Sequence, residues 1–154
     1  MTKFKWLIMT VSISTGMLTW WLILPTKIID VHYKSDIRSY YIIVKNLPFT
    51  DRRKIQWWEN NKPHFKQLFH IPVDENGYAI NFWIGKYRSD SGTAQDSDLL
   101  CFDDMQSKDN CIAKDNQPMT IWFSKYTDET IYLLNNWDNK YIKDNKSGAI
   151  RKLR

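Results

Sequence analysis

Four groups of side chains in this chain have the types and spacing to do chemistry. They are Cys101 with Cys111, the adjacent Asp103 and Asp104, the histidines His32, His64 and His70, and the neighbouring indoles of Trp57 and Trp58. The two cysteines are the only ones, and nine residues separate them. An even, close pair suits a disulfide in an oxidising compartment. A loop that short contributes roughly 2–3 kcal/mol when bridged without strain. The competing reading is two free thiols in a reducing cytosol. Zinc binding is disfavoured, because no second Cys or His pair completes a four-ligand set.

Asp103 and Asp104 invite an acid–base or metal reading. Adjacent residues of a strand point to opposite faces, which places them poorly for sharing a proton or an ion. Turn formation and local hydrogen bonding inside the cysteine-closed loop fit them better. No two histidines stand at i, i+4, so the helical zinc pattern is absent. Solvent-facing or capping roles are expected for all three. No nucleophile elbow, phosphate-binding loop or dinucleotide fingerprint occurs. The expectation is therefore a protein that is not an enzyme, with no catalytic residue, no cofactor and no metal. Trp57 and Trp58 would lie about 100° apart on a helix, so one faces the core and the other its flank. Exposed Trp is a common anchor of protein interfaces. It can also stack on a sugar ring, or simply fill a small core. Trp57, Trp58, Asp103 and Asp104 are the candidate contacts for a protein partner.

The elements that would position these residues are legible in outline. Ile28–Tyr33 and Ser39–Lys45 are rich in β-branched and aromatic residues and read as a hairpin across Lys34–Arg38. Thr50 or Asp51 can cap a helix. Ile55, Trp58 and Lys62 then share one face. Pro63 cannot donate an amide bond to a continuing helix, so residues 51–69 read as a helix broken or kinked near Asn61–Pro63. Further strands are expected at Ala79–Gly85, Leu99–Phe102, Met119–Phe123, Thr130–Leu134 and Lys140–Ile142. Ser89–Ser97 is small and polar and reads as an exposed loop. The tail Lys140–Arg154 is basic and could fray. A run of strands with one helical insert predicts an α+β domain, with the helix packed on one face of a small antiparallel sheet.

The front of the chain is of another kind. Trp6–Leu24 runs nineteen residues without a formal charge between Lys5 and Pro25. As a helix it would extend roughly 28 Å, close to the roughly 30 Å hydrocarbon core of a bilayer. Trp6 and Trp20-Trp21 stand at its two ends, where indoles prefer the interface. A cleaved signal would have a shorter apolar region and a small-residue cleavage site. The reading is a short cytoplasmic start over residues 1–5, a transmembrane anchor over residues 6–24 and a soluble domain over residues 25–154. Lys3 and Lys5 are nearly balanced by Lys27, Lys34 and Arg38, so loop charge alone does not orient the anchor. The cysteine pair favours export of the domain. Setting Lys3 and Lys5 aside leaves 20 basic and 17 acidic residues, interspersed. That pattern excludes the basic stripe of a nucleic-acid binder and the dense polybasic cluster of a lipid-surface binder.

Several phrases also belong together. Val44–Asp51, Lys54–Trp58, His70–Pro72, and Cys101–Met105 with Asn110–Ile112, behind an amino-terminal anchor, resemble the enterobacterial putative membrane proteins grouped as domain of unknown function 943. The resemblance implies a single-span envelope protein and carries over no catalytic residue. The expected protein sits in the bacterial inner membrane by one span, with its carboxy-terminal domain in the periplasm. Its partners would be the lipid bilayer, through residues 6–24, and an unidentified protein. Immunity against an envelope toxin is one concrete form. An envelope enzyme, a glycan-binding module or an accessory subunit of a membrane complex are the alternatives.

Overall fold

The computed structural model describes residues 24–71, 77–92 and 98–153. The expected anchor and the amino-terminal residues before it lie outside this range, apart from Leu24. Residues 93–97 of the polar loop lie outside it too. Among the described residues no helix is long and apolar enough to cross a membrane.

The domain is α+β. Strands β1 (Lys27–Lys34) and β2 (Ser39–Lys45) form the expected hairpin, and helix α1 (Asp51–Phe69) follows. After it come β3 (Gly77–Ile84), β4 (Leu99–Cys101), β5 (Cys111–Ala113), β6 (Met119–Ser124), β7 (Glu129–Leu134), β8 (Asn139–Asp144) and β9 (Ile150–Leu153). Seven strands make one sheet in the order β1-β2-β3-β6-β7-β8-β9, and β4 with β5 forms a separate small hairpin.

Three expectations need correction. The large sheet is mixed, because β2 and β3 pair in parallel, Ser39 opposite Ala79 and Val44 opposite Ile84. Parallel neighbours need a crossover long enough to carry the chain back to the starting end of the sheet, and the helical insert supplies it. The helix runs unbroken through Pro63. Its ends are well satisfied. The Thr50 hydroxyl accepts from the Arg53 amide, and the Phe65 carbonyl receives the amides of His70 and Ile71, His70 taking the left-handed conformation. Packing of Ile55, Trp58 and Phe65 on the sheet then outweighs one missing backbone bond. The basic tail does not fray. Residues 139–144 and 150–153 are strands, with Lys140 opposite Leu153 and Lys143 opposite Ile150.

Two hydrophobic layers result. On one face, Tyr40, Ile42 and Val44 of β2, Ile80 and Phe82 of β3, Ile121 of β6 and Tyr132 of β7 meet the helix. On the other, Ile43 and Trp83 meet Phe102 and Ile112 from the small hairpin. Alternation along each strand sends its residues to both layers. Polar contacts fix the helix laterally. The Asn135 amide and the Tyr141 hydroxyl donate to Asp51, and the Tyr132 hydroxyl donates to Glu59 at 2.6 Å. Lys143 pairs with the same Glu59 carboxylate, and the buried Lys54 ammonium donates to Asn135 Oδ1 and the Pro118 carbonyl.

Candidate functional site

The hairpin on the second face organises a cluster of ionisable side chains, His32, Asp104, Asp30 and Tyr87. Cys101 and Cys111 are directly opposite each other in β4 and β5, and they are joined as a disulfide. The bridge closes the segment that carries Phe102, Asp103 and Asp104. Phe102 turns inward and is buried, whereas Asp103 and Asp104 face solvent.

Beneath this hairpin lies His32 of β1, only 4% exposed. Its ring stacks on Phe102 with centroids 3.9 Å apart and planes 11° from parallel. Nδ1 is 2.7 Å from Asp104 Oδ2 and Nε2 is 2.7 Å from the Tyr87 hydroxyl. An ionised carboxylate only accepts, so Nδ1 carries the hydrogen that meets Asp104. In the neutral ring Nε2 then accepts from Tyr87. Asp30 Oδ2, at 3.2 Å, competes for that single hydroxyl hydrogen and stands 3.7 Å from Nε2. Burial and the neighbouring Asp30 carboxylate push the Tyr87 phenol well above its ordinary value, with a further push from Asp104. The phenol therefore stays protonated and serves as a donor.

The expected solvent-facing or capping role fails for His32. Its place in the strand puts it between the sheet and the hairpin, where two polar partners and an aromatic ring enclose it. His70 does cap the helix, and His64 is exposed on it. Asp104 bonds across 72 residues of sequence and not within its own loop. Among the residues proposed as partner contacts, Trp58 is completely buried and offers no surface. The helix turns it onto Phe65 and Phe82. Trp57 is half-buried and flanks the same core. It borders a groove of about 420 Å3 with Ile28, Asn61, His64 and Phe69. Asp103 and Asp104 remain accessible. The signal for the missed site was Asp30-x-His32. Two residues apart in a strand, their side chains share a face.

Chemically, the cluster is an organised hydrogen-bond relay with both imidazole nitrogens engaged. A larger open cleft of about 810 Å3 is bordered by Arg88, Asp98, Asp115, Gln117 and Trp137. Its charges are of both signs, and His32 is not among its walls. Among the described residues, no group of three or more His, Cys, Asp or Glu side chains is placed to hold a metal ion.

The molecule so defined is a small α+β domain: a mixed sheet covered by one helix, with a disulfide-closed hairpin on its other face. The chain belongs to the family described as enterobacterial putative membrane protein, domain of unknown function 943, whose match covers residues 2–154. No curated protein and no solved structure matches it.

Proposed function

We propose that this chain is a single-span inner-membrane protein whose periplasmic domain binds another protein and performs no catalysis. The observation that carries the reading is the Cys101–Cys111 hairpin, which fastens Asp104 to the buried His32 while leaving Asp103 and Asp104 in solvent. A binding surface held rigid before the encounter loses less conformational freedom on association. Asp30, Asp103 and Asp104 make this knuckle acidic, so the partner presents Lys or Arg to it. The burial of His32 under Phe102 supports a structural duty for the ring, since neither nitrogen is open to a substrate. The disulfide supports an oxidising compartment, and family membership supports the membrane.

Neutralisation of a toxin arriving in the envelope is the specific form of this reading. It fits a small anchored domain without a recognisable catalytic motif. Crosslinking and pull-down from intact membranes tests the general form. Asp103→Lys should abolish capture of the partner while leaving Tm unchanged. Equal capture by wild type and Asp103→Lys removes the hairpin as the docking surface. A deletion strain as resistant as its parent to every co-delivered toxin removes the immunity form.

A further inference from the structure

We propose that one end of the sheet is a second lipid contact, which seats the domain on the phospholipid surface beside its own anchor. The inference rests on the reading of residues 6–24 as a membrane span. Register defines the end. Lys27 pairs with Lys45, Val44 with Ile84, Phe82 with Met119, Met119 with Leu134, and Leu134 with Asn139. The β2–α1 connection and the β7–β8 turn both leave from this end. The chain also enters the domain here, at Lys27.

The β2–α1 connection is strapped to the point of entry. The Thr26 hydroxyl donates to the Asn46 carbonyl at 2.9 Å, and the Asn46 amide donates to the Pro25 carbonyl at 3.4 Å. Pro25 is the first residue past the apolar run. The headgroup layer is roughly 5–7 Å deep on each side of the hydrocarbon core. A loop hydrogen-bonded to Pro25 therefore lies in or against that layer. Its tip is Phe49, 87% exposed. The β7–β8 turn is tied to the same corner, because the Asn135 amide donates to Asp51 at 2.9 Å. That turn exposes Trp137, 53% accessible. Asn135, Asn136 and Trp137 all take positive φ, 54°, 54° and 75°. For a tryptophan that conformation is costly and is held only by its surroundings.

The charge is right for phosphate. Lys27, Lys45, Arg52 and Arg53 are all exposed around the Phe49 connection. Asp51 is turned away to Asn135 and Tyr141. Asp138 and Asp115 are exposed carboxylates in the turns at this end, and Lys114 precedes Asp115, so cations stay in excess. The linear sequence holds no dense basic cluster; the fold sets Lys27, Lys45, Arg52 and Arg53 around Phe49, and Lys114 lines a cleft with Trp137, whose ring rests edge-on against Trp122. Aromatic rings at headgroup depth with Lys and Arg around them are what a membrane interface selects. Single exposed apolar residues are ordinary elsewhere. Tyr126, 95% exposed, lies in the turn at the opposite end of the sheet and serves as the control.

The test uses the full chain in nanodiscs with photoleucine at one position, Phe49→photoleucine or Tyr126→photoleucine. Lipid adducts are expected from position 49 and not from position 126. Replacing phosphatidylglycerol by phosphatidylcholine, or introducing Arg52→Glu with Arg53→Glu, should lower the yield at 49, roughly fivefold per cation lost. Adducts at 49 no more frequent than at 126, in a chain that still resists carbonate extraction, overturn the inference and leave the anchor standing. Release of the chain by carbonate overturns the anchor reading and the inference with it.

Discussion

Asp104 Oδ2 meets His32 Nδ1 at 2.7 Å, although a helix and three strands separate the two residues along the chain. Asp104 is 58% exposed and His32 is buried. One bond thus couples a solvent-facing side chain to the interior. Asp104→Ala leaves a buried imidazole N–H without an acceptor, which costs about 1–2 kcal/mol. Urea unfolding should show that loss. Loss of the His32 Nδ1–H proton resonance would accompany it, and an unchanged midpoint would contradict the pairing.

The disulfide holds this hairpin in place. Cys101→Ser with Cys111→Ser, or reduction of the wild type, should lower stability by roughly 2–3 kcal/mol. Denaturant curves with and without reductant measure it. The change should also weaken capture of the protein partner, because Asp103 would lose its fixed position. Identical gel mobility with and without reduction and alkylation would argue that the bridge does not form in cells.

Glu59 makes stability depend on acid. Burial alone would raise its carboxyl, but hydrogen bonds from Lys143 and Tyr132, with the Lys143 and Lys62 charges, outweigh burial and hold it below the ordinary carboxylate value. A carboxyl depressed in the folded state contributes stability that is complete above its unfolded value of about 4.5. That contribution disappears as pH falls through the folded value. Wild type should therefore lose Tm below about pH 4.5, and Glu59→Gln should flatten that part of the curve. Parallel acid curves for the two proteins would show that the pair is not responsible.

The two adjacent indoles should behave differently. Trp58 is fully buried against Phe65 and Phe82, so Trp58→Ala should cost about 3–5 kcal/mol. Trp57→Ala should cost less, because its ring is half-buried at the rim of the core. Thermal denaturation of the two variants compares them directly. Equal losses would mean that both rings carry the same packing.

Tyr132 and Tyr78 illustrate how burial sets donor chemistry in this core. Burial and the Glu59 carboxylate push the Tyr78 phenol up to about 12 and Tyr132 higher still. Both remain protonated across physiological pH, and Tyr132 keeps donating to Glu59. Tyr132→Phe should therefore lower stability by about 1–2 kcal/mol, because it removes one donor from a partly buried carboxylate. Urea unfolding of the variant measures the loss.

Local chemistry was enough to place most elements from sequence. Ser39–Lys45 is a strand because β-branched and aromatic side chains fit a pleated, buried surface, and Thr50 starts the helix because its hydroxyl serves an orphan amide. Spacing alone separates the roles of Trp57 and Trp58, whereas for the two cysteines it allowed a disulfide without excluding free thiols. What sequence could not fix was decided by contacts between distant segments. The parallel β2–β3 pair depends on where the helix returns the chain, and β5 and β9 are too short or too polar to announce themselves without a neighbour. His32 became buried, and the scattered cations became one end of a sheet, only when register brought Tyr87, Phe102 and Asp104 over one strand and Pro25 beside Asn46. Periodicity reports which face a side chain takes; only closure of the fold decides what meets that face.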